Sequence, residues 1–116
     1  MAAIQDQQEV MGAIADMTIE IYAMESAVLR AKKLTEQKGE ATATLATAMT
    51  RVYLSQAMEK IEAAARKIIA AVADGDMLRT QMVIVRRLTK YEPFNTIELR
   101  QEVAQRTIEA GKYRLA

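Results

Sequence analysis

From Val10 to Ala31 an apolar residue recurs at alternating intervals of four and three, at Val10, Ile14, Met17, Ile21, Met24, Val28 and Ala31. Only an α-helix gathers that spacing onto one stripe, and its regularity over several turns predicts the seam of a helical bundle. Leu54, Met58, Ile61, Ala65, Ile68 and Val72 repeat the rhythm further on. An earlier set at Leu45, Met49 and Val52 is offset around the same helix, which implies a second contact or a local change of partner. Alanine dominates the apolar residues, with eight methionines and few aromatics, so the core is expected to come from thin helices packed closely.

Punctuation divides the chain into about four helices, predicted at 7–38, 41–74, 77–90 and 96–110. Gly39, Gly75 and Gly111 each follow a helix-compatible stretch, where a left-handed residue ends a helix without a Cβ penalty. Asp6 with Glu9, and Asn95 with Glu98, have the spacing of a capped first turn. Asp74-Gly75-Asp76 is expected to close one helix and cap the next, and Pro93 breaks the last connection. The expected architecture is therefore all-α, an antiparallel helical bundle with two long and two short helices, forming one domain over residues 1–116. At about 1.5 Å per residue each long helix spans roughly 50 Å, more than a small domain needs, so surface is expected to remain for another partner. Gly12, inside the first stripe, predicts a close helix crossing at that point.

The chemistry is limited by what the chain lacks. With no histidine and no cysteine, Ser-His-Asp, Cys-His, thiolate and histidine metal sites are excluded, as is the Glu-x-x-His element of a diiron bundle. No glycine-rich phosphate loop is present, and Glu20 and Glu25, five residues apart beside Tyr22, point in different directions on their helix. No catalytic, cofactor-binding or metal-binding residue is therefore expected in this chain, and by itself it is not an enzyme. A net charge of +1 gives no basic excess for nucleic acid, and no apolar run suits a signal or a membrane span. A cytoplasmic setting is expected.

Three features remain. Met11, Met17, Met24, Met49, Met58, Met77 and Met82 suit either an adaptable groove or, more simply, core filling. Arg79, Arg86, Arg87 and Lys90 gather on one face of the third helix, open to anionic headgroups or an acidic partner, although a solvated face accounts for them more simply. Tyr22, Tyr53, Tyr91 and Phe94 could anchor an interface, with Tyr91 and Phe94 more simply capping the end of the bundle.

The segment from Ile14 to Arg30, with Tyr22-Ala23-Met24-Glu25-Ser26 at its centre, resembles the extra C-terminal region of the larger acyl-CoA dehydrogenases, the bacterial relatives of the very-long-chain type. Asp74 to Gln81, Arg86 to Lys90, and Ile108-Glu109-Ala110-Gly111-Lys112-Tyr113 are similar to the end of the same proteins, so the likeness runs from about residue 8 to 113. The resemblance implies a structural, docking domain belonging to a longer fatty-acid-oxidising flavoenzyme. That enzyme would carry FAD and oxidise an acyl-CoA thioester to its 2,3-enoyl product with a glutamate base. No segment here resembles the flavin-binding β-domain, the acyl pocket or the segment carrying that glutamate. The resemblance further implies that the helices pack on the catalytic body, accompany a homodimeric state and, in mitochondrial forms, touch the membrane surface weakly. The alternative is a free-standing interaction protein that self-associates through the Val10 to Ala31 seam.

Overall fold

The computed structural model describes residues 4–111, with side chains from residue 7 onward; Met1, Lys112 and Tyr113 lie outside the described residues. Four helices follow in order, α1 Ile4–Lys38, α2 Thr44–Val72, α3 Gly75–Leu88 and α4 Thr96–Ala110, and no strand occurs among the described residues. The all-α expectation holds, as do two long and two short helices. Their ends differ in instructive ways. Asp6 lies within α1, and its side chain lies outside the described residues. Gly39 does end α1, at φ 86°, and donates to the Thr35 carbonyl at 2.9 Å. The chain then turns through residues 40–43, so α2 starts at Thr44, later than expected, with the Thr44 hydroxyl donating to the carbonyls of Glu40 and Ala41.

At the next corner Gly75 opens α3 instead of closing α2. Its φ of 56° accompanies an extended Asp74 at the cap position, with no side-chain cap bond, and Asp76 sits within the first turn. The expected cap at Asp76 is thus replaced by an ion pair, Arg79 Nη1 to Asp76 Oδ1 at 3.3 Å. The start of α4 follows the sequence closely. Asn95 Oδ1 accepts from the Glu98 amide at 3.0 Å, the Asn95 side-chain amide donates to the Glu98 carboxylate, and Gly111 ends the helix in the left-handed region.

The chain forms two compact units, each assembled from segments distant in sequence. Unit one comprises residues 1–22 and 57–92. In it the first half of α1 runs antiparallel to the second half of α2: Val10 and Ala13 share a groove with Ile68, Ala71 and Val72, and Glu20 pairs with Lys60. The α3 helix adds Leu78, Met82 and Val85 against Glu62, Arg66 and Ala70 of α2.

Unit two comprises residues 23–56 and 93–116. Here Ala27, Ala31 and Leu34 of α1 lie near Ala46, Met49, Thr50 and Tyr53 of α2, while Val103 and Ala104 of α4 take the flank at Met49, Val52 and Gln56. The offset set at Leu45, Met49 and Val52 is explained by α4, which gives this part of α2 a second neighbour. The Arg51 guanidinium stacks 4.5 Å from the centre of the Phe94 ring, fixing the entry to α4.

The core is thin, as the alanine content predicted. Its buried apolar residues are Ala13, Ala43, Leu45, Ala46, Ala48, Ala57 and Ile61, joined by Ser55. The α1 seam, however, is rotated from the expected stripe. Val10, Met17, Met24 and Ala31 face inward, but the intervening places belong to Ala13, Glu20, Ala27 and Leu34, while Ile14, Ile21 and Val28 are exposed. Small side chains allow close approach to an alanine-rich α2, and β-branched ones at those places would hold the helices apart. The crossing expected at Gly12 is absent: a Cβ there meets nothing within 4 Å.

Candidate functional site

The rotation of α1 leaves a second apolar ridge uncovered. Within unit one it comprises Met11, Ile14, Ile21 and Tyr22, with Met11 69 % and Tyr22 73 % exposed. The intervals 11, 14, 18 and 21 keep the ridge straight along one face. Thr18 fills the remaining place, and its hydroxyl donates to the Ile14 carbonyl of its own helix at 2.9 Å, so the hydroxyl hydrogen is already engaged. Single exposed hydrophobic residues are ordinary on a protein surface, whereas a contiguous row of them marks an interaction site.

Met11 also joins the ridge to a groove of about 740 Å³ between the start of α1 and the end of α2. Val10, Ala13, Ile68, Ala71 and Val72 make its apolar surface, and Glu9 and Lys67 supply its charges. A second groove, of about 410 Å³, lies between α2 and α3, with Leu78, Met82 and Val85 inside and Arg66, Arg79 and Arg86 at its edge. Two of these arginines already hold carboxylates, Arg66 that of Glu62 at 3.8 Å and Arg79 that of Asp76. The basic face of α3 is therefore partly neutralised by its own neighbours, and it sits beside exposed Met77, Val83, Ile84 and Leu88.

Glu20 and Glu25 do not form a pair. Glu20 turns into the seam, its side chain 18 % exposed, and meets Lys60 at 3.5 Å, whereas Glu25 is exposed. Of the seven methionines singled out, Met17, Met24, Met49, Met58 and Met82 are half-buried and Met11 and Met77 stand in solvent, so most fill the interior and two belong to outer faces. Tyr53 lines the grooves beside Ala31 and Val103, and Phe94 packs under Arg51. Tyr91 is exposed in unit one.

Among the described residues no group of three acidic, histidine or cysteine side chains is placed to hold a metal ion. Gly39, Gly75 and Gly111 stand at helix ends and Gly12 within a helix. No helix among the described residues is long and apolar enough to cross a membrane. What the surface offers is contact area. The signal that finds the ridge in the sequence is the alternation of alanine with larger residues, Ala13, Ala27 and Ala31 against Ile14, Ile21 and Val28, which separates a tight seam from its outer neighbour.

A family model described as acyl-CoA dehydrogenase, C-terminal domain, matches residues 1–87. A Bacillus subtilis (strain 168) protein described as a probable acyl-CoA dehydrogenase is 37 % identical over 111 residues, covering 96 % of this chain and 19 % of that protein. The crystal structure of an acyl-CoA dehydrogenase complexed with FAD from Bacillus anthracis superposes with a TM-score of 0.91 at 37 % identity, covering 93 % of this chain and 19 % of that one. The chain thus spans about a fifth of the length of these relatives. On the family match and on these two likenesses, the chain belongs to the acyl-CoA dehydrogenase C-terminal domain family.

Proposed function

We propose that residues 1–116 act as one non-catalytic domain that docks on the body of an FAD-dependent acyl-CoA dehydrogenase and supports its homodimeric assembly. The parent enzyme would oxidise acyl-CoA thioesters in the cytoplasm, with every catalytic and flavin-binding group outside this chain. The observation that carries the reading is the match over almost the whole chain to only 19 % of dehydrogenase relatives. The surface supports it. The chain exposes 8692 Å², where a folded monomer of this mass exposes about 6,300 Å². Self-association through the Val10 to Ala31 seam is not favoured, because Val10 and Ala31 line grooves shared with α2 of the same chain.

Deleting the domain from the full-length polypeptide tests the reading. The expected result is a body that keeps its flavin absorbance but loses thermal stability and changes oligomeric state. A truncated enzyme with unchanged melting temperature, sedimentation and turnover would contradict it.

A further inference from the structure

The slot between α2 and α3 joins an apolar floor to a cationic rim. It is bordered by Glu62 to Ala70 of α2 and Leu78 to Arg86 of α3, each a run of about 12 Å. Its volume of about 410 Å³ falls within the roughly 300–1,000 Å³ usual for small-molecule sites. Spread over that length it leaves a mean cross-section of about 34 Å², whereas a helix about 10 Å across fills about 80 Å². The slot therefore admits an extended chain and is too narrow to hold a helix within it.

The charges select the kind of chain. Arg66, Arg79 and Arg86 line the slot against one lining carboxylate, that of Glu62, so their methylene stems extend its apolar wall while the guanidiniums stand at the edge. Arg66 shares the Glu62 carboxylate at 3.8 Å, and Arg79 holds Asp76 in a pair exposed at both ends, an arrangement that exchanges readily with another anion. Arg86 has no carboxylate in reach along α3, because the residues three and four positions away are Met82, Val83, Thr89 and Lys90. We propose that this slot binds a dispersed single-chain anionic amphiphile of the fatty-acid type. Its alkyl chain lies along Ala70, Leu78 and Met82, and its carboxylate is held at the Arg66 and Arg86 end, where a planar guanidinium can meet both carboxylate oxygens. A bilayer lipid offers the same chemistry from another source. Its chains are already out of water, so entering the slot gains them little, whereas a dispersed chain gains the full benefit of apolar burial.

The test uses dodecanoate carrying a diazirine on its chain, added below its micelle concentration to the full-length polypeptide, with labelled peptides mapped by mass spectrometry. Label is expected within residues 62–86, and little there from the uncharged methyl ester of the same probe. Ala70→Phe, which fills the slot without altering a charge, is expected to remove this label. Arg86→Gln is expected to lower it about tenfold and Arg86→Lys to restore much of it. Arg86 is exposed, so its variants test the site without disturbing the packing, and circular dichroism should be unchanged. Absence of label from residues 62–86, equal labelling by the ester, or a yield unmoved by Arg86→Gln overturns the proposal. So does label that forms only when the probe is carried in anionic phospholipid vesicles, which would assign the slot to a membrane surface.

Discussion

At the scale of single residues, glycine and asparagine give the sharpest expectations. Gly12 lies in mid-helix with open space where a Cβ would be, so no packing role offsets its backbone entropy. Gly12→Ala is expected to raise stability by about 1 kcal/mol, read as an increase in the chemical denaturation midpoint. The Asn95 cap has the opposite sign. Its side chain satisfies the Glu98 amide, and Asn95→Ala is expected to cost about 1 kcal/mol, with the loss concentrated in α4 amide protection. Asn95 was legible from spacing because a cap depends on residues three apart. Gly12 was not, because a glycine for close approach and a glycine merely tolerated have the same local sequence.

At the scale of helices, the long pair and the short pair differ in anchorage. The α2 helix supplies most of the buried residues, whereas neither α3 nor α4 has one. Hydrogen exchange is therefore expected to be slowest in the middle of α2 and fastest in α3 and α4. Equal protection in all four would count against this ranking. Removing side-chain volume from the core should be costly, and Ile61→Ala is expected to lose roughly 2–5 kcal/mol in denaturant titrations. The basic face of α3 makes a separate prediction. If Arg86 and Arg87 meet membrane, Arg86→Glu with Arg87→Glu will abolish retention by anionic liposomes; equal retention of both proteins would remove that role.

Helix number and helix type were readable because periodicity is a property of one segment alone. The register of α1 was not. Ile14 and Ala13 are one residue apart, either could serve a seam, and the choice is made by residues of α2 far along the chain, Ile68 and Ala71 in the groove with Ala13. The same nonlocality hid the candidate docking face, since an outer ridge is defined only once the inner one is known. The corner at Gly75 was misread for a related reason: a positive φ suits the end of one helix or the entry to the next.

For the whole molecule, the decisive property is how little of the chain is withdrawn from solvent. Apolar faces on α1 and α3 stand uncovered, so the isolated domain is expected to form dimers in light scattering, with a strict monomer at high concentration as the contradicting result.

The alanine core has one more consequence. Unfolding changes heat capacity in proportion to the apolar surface newly hydrated, and each alanine side chain, being small, adds little such surface. Calorimetry of the isolated domain should therefore give a shallow stability curve, with gentle loss on warming and little weakening in the cold.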